Sequence, residues 1–373
     1  MVFGMLTRRS LLTSVAAAGA ATFVTPSLAL AAPPGQSTPD GWLARLAAHR
    51  ADVSAVFSDG TGRRFGHLPD RSLTIASAIK AVHLLAYTTA VAQGRLDPAE
   101  QVRVGDWDAR HPYVGDGPVG AGSHLNALTY LGIPCDEHGV AKDPERRVPL
   151  RNIAETMIFF SDNAAADYLR ARLGDGALRA AAARGGWSRP DVRMFGGEVL
   201  LLLFPEYCPP PGSPAVVRRA AGDALSNRFA CDPSFRAQVL PRAAEKPPST
   251  EAITAWSATT GHGSAAQLFG LHHEIATSRD RAAVLAQQIL GTPLAAKRPP
   301  GSKALLYKGG NLPGYLVLGF DVLWPDRRPG TSTIFLKNST QQDLQHAPVL
   351  MRLCVDALYL PDTFAALERA LGH

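Results

Sequence analysis

The β-rich runs of this chain lie at its two ends. Near the start, Val53–Ser58 and Arg64–His67 flank Asp59-Gly60, a hairpin signal. In the last quarter, residues 304–308, 315–324 and 331–336 are short runs separated by turn residues. The stretch between is dominated by apolar residues at helical spacing. Strands from both ends are therefore expected to join one antiparallel sheet, with the helical middle forming a second lobe. The fold class read from this order is mixed α/β (α+β): an antiparallel five-stranded sheet flanked by helices, plus an all-helical lobe. The sheet lobe is expected over about 41–76 and 300–373 and the helical lobe over about 77–299. The crevice between lobes is the expected place for a site.

Several helices can be placed individually. One is expected over 42–50, with Leu43, Leu46 and Ala47 on one face, and a long apolar one from about Ser77 to Gln93, closed by Gly94. Others are expected over 148–160, from about Ala164, and over 348–360. Residues 105–145 are rich in Gly, Pro, Asp and His and read as a long excursion.

The 373 residues are 46% hydrophobic and 19% charged, too apolar for a disordered chain. The formal charge of +6 comes from 31 Arg and only 7 Lys, with no contiguous basic stripe interleaved with aromatics, so nucleic acid is not an expected partner. At the N-terminus, Thr7-Arg8-Arg9-Ser10-Leu11-Leu12 precedes an Ala-rich apolar run and Ala29-Leu30-Ala31. This pattern reads as a signal peptide of the twin-arginine type over 1–31, followed by a flexible leader over 32–40 and a catalytic domain over 41–373. The apolar run over 11–24 is shorter than the roughly 20 residues a bilayer span needs, so no membrane span is expected after cleavage. The implied location is outside the cytoplasm, secreted or in the periplasmic or cell-wall space.

Cys135, Cys208, Cys231 and Cys354 show no CxxC spacing, and His272-His273-Glu274 lacks an i, i+4 His pair, so no metal or other cofactor is expected. Export permits a disulfide, for which Cys208 and Cys231 are the expected pair, while Cys354 reads as a buried core thiol. The protein is expected to act as a monomer.

Three short motifs carry the chemistry. Ser77-Ala78-Ile79-Lys80 places an amine and a hydroxyl three residues apart, on one face of a helix. A lysine within the apolar run 78–82 has its pKa pushed down by burial, and a neutral amine can take the serine proton. Ser161-Asp162-Asn163 stands at a break between two helices, where all three residue types also favour the N-cap. Lys308-Gly309-Gly310, at the end of a β-run, precedes Asn311-Leu312-Pro313-Gly314. A glycine pair on an edge strand allows close approach of another backbone or a ligand.

In this order the motifs resemble the S-x-x-K, S-D-N and K-T-G pattern of the class A β-lactamase and penicillin-binding-protein superfamily. The resemblance spans about residues 40–372 and includes the helix pair around 161–169 and Ala258-Thr259-Thr260 before a late helix. Within the superfamily, Lys-Gly-Gly followed by Leu-Pro-Gly is most similar to β-lactamase-like serine hydrolases of actinobacteria. The resemblance implies a β-lactamase/transpeptidase-like fold and an acyl-enzyme on Ser77, with Lys80 as its base and Ser161 relaying a proton to the leaving nitrogen. It further implies that Asn163 and Lys308 bind substrate, that Gly309 and Gly310 line the site, and that the N–H groups of Ser77 and Asn311 form the oxyanion hole. The implied partner is a small β-lactam, ester or acyl-peptide.

The chain departs from that pattern in three ways. Gly309 replaces the usual Thr or Ser and removes a hydroxyl that would meet a substrate carboxylate. Residues 105–145 and 205–255 are long and are expected to add lids or reshape the mouth of the cleft. The E-x-x-L-N loop that carries the deacylating Glu is absent. Glu198, in Gly196-Gly197-Glu198-Val199, is the nearest candidate for that base and Glu206 the second. Without such a base, acylation proceeds while deacylation is expected to be slow. The expected activity is β-lactam hydrolysis, with ester or D-Ala-D-Ala-type peptide hydrolysis and a β-lactam sensor acylated once as the alternatives.

Overall fold

A computed structural model describes residues 35–114 and 122–372. The expected signal peptide and residues 32–34 of the leader lie outside the described residues. Strands β1 (Val53–Ser58), β2 (Arg64–His67), β3 (Leu73–Thr74), β4 (Gln101–Arg103), β5 (Arg147–Pro149), β6 (His262–Gly263), β7 (Ala304–Leu312), β8 (Gly314–Leu323) and β9 (Gly330–Ser339) follow in chain order. Five of them make one antiparallel sheet in the order β2-β1-β9-β8-β7. Both chain ends thus meet at β1 and β9, where Ala55 faces Ile334 and Phe57 faces Ser332. Strands β3 and β6, and β4 and β5, form two small antiparallel pairs.

Alternation along the strands assigns the two faces of the sheet. Ala55, Phe57, Leu305, Leu318, Phe320 and Ile334 pack on one side with Trp42 and Leu46 of the helix Pro39–Ala48 and with Leu350, Leu353 and Phe364 of the last two helices. That first helix is capped by Thr38, whose hydroxyl accepts the Gly41 N–H at 3.1 Å, and it starts at a proline, which needs no N–H there. Cys354 lies buried in this layer, as expected. Val56, Leu306, Val317 and Phe335 point the other way, into the larger core shared with the helical lobe.

Two local expectations are corrected. The helix anticipated over 148–160 begins only at Leu150, because Pro149 keeps an extended backbone and β5 pairs with β4. The helix Ala265–Thr277, expected within the helical lobe, lies between the sheet and the core shared with that lobe. Thr333 Oγ1 donates to Ala265 O at 2.9 Å, and His272 Nδ1 lies 2.8 Å from Asp321 Oδ2 on β8, a buried polar tie across that face. Cys208 and Cys231 are free thiols: Cys208 Sγ donates to Leu201 O, and Cys231 is exposed at the end of the helix Ala215–Cys231.

Residues 195–257 fold into a small helical body with its own core of Leu200, Phe204, Phe229, Phe235 and Trp256. Leu312, at the end of β7, is buried in that core, which seats the body against the edge of the sheet. Among the described residues no helix is long and apolar enough to cross a membrane.

Candidate active site

Ser77 lies in a short 3₁₀ turn, Ala76–Ile79, that leads directly into the helix Lys80–Ala92. The anticipated single helix therefore has a tighter first turn. Ala76, just before Ser77, is held at φ 49°, and Ser161 at φ 61°. Non-glycine residues in this region carry strain that persists only where surrounding structure imposes it. Asp162 caps the helix Asn163–Arg184, its Oδ1 accepting the Ala164 N–H at 2.9 Å. The cap fixes the residues on either side of it, Ser161 and Asn163.

The three motifs meet at two buried amines. Lys80 Nζ donates to Ser77 Oγ at 2.8 Å, to Ser161 O at 2.6 Å and to Asn163 Oδ1 at 2.5 Å, and it lies 3.3 Å from Ser161 Oγ. Lys308 Nζ, arriving from β7, donates to Ser161 Oγ at 3.0 Å and to Gly309 O at 2.6 Å. Burial, reinforced by repulsion from Lys80, holds Lys308 well below the ordinary lysine range. Lys80 and Lys308 are only 2% and 3% exposed, and the contacts named here reach neutral oxygens. Burial of an amine favours its uncharged form, which can accept a proton.

Gly310 sits where β7 presses on the nucleophile turn. A Cβ there would collide with the backbone nitrogens of Ser77 and Ala78, so a side chain cannot be accommodated without moving main chain. Ser77 is the second residue of its turn, where N–H groups lack an intrahelical acceptor. A cavity of about 850 Å³ joins Ser77, Lys80, Ser161, Asn163, Lys308, Gly309, Gly310 and Asn311. The arrangement contains a hydroxyl nucleophile, an amine in contact with it, and a second hydroxyl shared between two amines. Acyl transfer through serine needs these parts.

Glu198 reaches the same cavity, yet its carboxylate is committed elsewhere. Oε1 accepts from Arg193 Nη1 at 3.0 Å and Oε2 from Arg218 Nε at 3.1 Å, with the group 2% exposed. Glu198, the candidate deacylating base, thus stands in the helix Phe195–Leu203 with its carboxylate between the guanidiniums of Arg193 and Arg218. Glu206 pairs with Arg242 at 2.8 Å and does not line the cavity.

Other groups were not foreseen. His124 is wholly buried between two carboxylates, with Nε2 2.9 Å from Asp108 Oδ1 and Nδ1 3.2 Å from Asp162 Oδ2. Burial alone would lower its pKa, but Asp162 and Asp108 overcome this and raise it to about 10. Trp107 Nε1 donates to Asp162 Oδ2 at 3.0 Å. The segment read as an excursion thus supplies the ion pair and hydrogen bond that hold Asp162; its richness in Asp and His was the only advance signal. Asp167, one turn beyond Asn163, accepts the Phe195 and Gly196 N–H groups at 2.8 Å each. Its burial outweighs those bonds and raises its pKa to about 7.

The fold is β-lactamase-like, and the site holds the parts that a serine hydrolase needs. Residues 43–201 match the β-lactamase enzyme family. The β-lactamase from Sphaerobacter thermophilus DSM 20745 superposes with a TM-score of 0.55 at 14% identity, covering 85% of this chain and 97% of its own. An ancestral class A β-lactamase gives 0.51 at 16% identity, covering 87% and 100%. The chromosome-encoded β-lactamase of Vibrio parahaemolyticus gives 0.52 at 10% identity, covering 85% and 97%. No curated protein matches by sequence. These likenesses show a β-lactamase-like fold over most of the chain, with the match to the β-lactamase family lying over residues 43–201.

Proposed function

We propose that this protein is an exported hydrolase that works through an acyl-enzyme on Ser77, with β-lactams as its substrate class. The observation that carries the reading is the 2.8 Å contact between Lys80 Nζ and Ser77 Oγ, with Ser161 Oγ within reach of both lysines. In the acylation step, Lys80 takes the Ser77 proton as Oγ attacks the carbonyl carbon. The N–H groups of Ser77 and Asn311 receive the developing oxyanion, and donors of this kind are worth about 100- to 1,000-fold in rate each. As the C–N bond breaks, Ser161 delivers a proton to the leaving nitrogen and is resupplied from Lys80 or Lys308. Asn163 orients Lys80, and Lys308 donates a hydrogen bond to the substrate. Water then releases the acyl group. The twin-arginine leader supports an extracytoplasmic location.

A second reading is ester hydrolysis. It is favoured by the ion pairs that hold Glu198, the candidate deacylating base, and by the missing hydroxyl at Gly309. Purified protein and a chromogenic cephalosporin separate the outcomes. Repeated turnover supports the lactamase, and nitrophenyl ester cleavage without lactam turnover supports the esterase. A single stoichiometric burst with a stable adduct supports a sensor. Full activity in Ser77→Ala would overturn the acyl-enzyme altogether.

A further inference from the structure

The cavity that holds Ser77 does not stop at the catalytic groups. It continues around β7, the edge strand, into a part lined by Leu294, Leu305, Leu316, Phe320, Met351 and Val355. These residues come from three walls: the segment before β7, the outer face of β7 and β8, and the helix Ala347–Asp356. The charged groups on this side, Lys297, Arg298 and Arg352, are exposed and stand at the rim, and Arg352 is already paired with Asp356 at 2.7 Å. Tyr307 stands at the join. Its ring stacks on Phe320 with centroids 5.0 Å apart, and its hydroxyl occupies the space that a Cβ at Gly309 would enter. A side chain at residue 309 would therefore fill the passage between the two parts, which gives glycine a reason to stand where relatives carry a hydroxyl.

We propose that this chamber receives an unbranched aliphatic chain on the acyl side of the substrate, entering over Gly309 beside Tyr307. The inference rests on acylation at Ser77 and adds to it the class of acyl group. Its walls are hydrocarbon, with no buried hydrogen-bonding side chain beyond the neck. A polar occupant would be left with unpaired groups, whereas each methylene buried there contributes favourably. At about 850 Å³ the whole cavity has room for both the reacting group and such a chain.

The test is a series of nitrophenyl esters from acetate to octanoate. The expected result is a kcat/KM that climbs by up to about fourfold per methylene, with octanoate at least tenfold above acetate. Met351→Trp and, separately, Leu294→Trp fill the chamber from two walls and should each cut the octanoate-to-acetate ratio at least tenfold. Equal kcat/KM for the two esters, or an unchanged ratio in both variants, overturns the proposal while leaving the hydrolase reading intact. Absence of any ester cleavage counts against an esterase, and the chamber is then read by direct binding. The fluorescent fatty acid cis-parinarate should bind Ser77→Ala and lose its affinity when Met351→Trp is added. No binding to Ser77→Ala overturns the chamber.

Discussion

Lys308 Nζ lies 3.0 Å from Ser161 Oγ, and so ties the edge strand of the sheet to the loop that begins the long helix of the other lobe. The two sides of the cleft share one hydroxyl. Replacing Lys308 by Met removes the donor while keeping an unbranched side chain of similar length. The expected loss in kcat/KM is about 100-fold or more, comparable with removal of a preorganised donor. Steady-state kinetics on whichever substrate turns over will check it, and a loss below threefold would show that Lys308 does not act at the site.

Gly310→Ala should disable the enzyme without unfolding it. The added Cβ meets the main-chain nitrogens of Ser77 and Ala78, which cannot swing away as a side-chain end could. Displacing the nucleophile turn by even an ångström can cost about 100-fold. Circular dichroism should report a folded protein and burst titration a loss of acylation. Retained acylation at the native rate would mean that β7 yields instead.

Glu198→Gln distinguishes a clamp from a base. If the carboxylate holds Arg193 and Arg218, neutralising it weakens both pairs, although Arg193 keeps Asp191, and should cost about 2 kcal/mol of stability. The acyl-enzyme lifetime of the folded fraction should then be near native. The reverse pattern, native urea stability with a much longer-lived acyl-enzyme, would restore Glu198 as the deacylating base.

The His124 ion pairs predict a pH signature in stability. Its folded pKa of about 10 exceeds the ordinary value of 6.5, so the folded state binds the proton more tightly. That contribution is fully present below about pH 6.5 and is lost as pH rises through about 10. His124→Gln should lower the melting temperature at pH 6 and flatten its decline toward pH 10. An equal slope in both proteins would show that the imidazole stays neutral when folded.

Much of this was legible in the chain itself. The separation of β-rich ends by a helical middle led to a five-stranded sheet closed by β1 and β9, because alternation and turn residues are local signals. Ser77 and Lys80 are three residues apart on one turn, so their contact follows from helical geometry. The convergence of Ser161 and Lys308 on that pair was readable only through the order of the three motifs.

What stayed hidden was whatever depends on partners distant in the chain. Glu198 reads the same whether it faces water or two arginines; only the packing of the helix Phe195–Leu203 on the helix Ala215–Cys231 brings Arg218 to it. Cys208 and Cys231 flank a Pro-rich stretch, yet the intervening helix carries one thiol into solvent and leaves the other on a carbonyl. His124 gains its charge from Asp108 and Asp162, and Gly309 its meaning from the hydroxyl of Tyr307. The sequence by itself determined which residues could do acyl transfer and which elements would carry them. The tertiary structure decided which of them meet, which carboxylate is already paired, and how far the cavity runs. Burial and through-space charge set those properties, and neither has a local period in the chain.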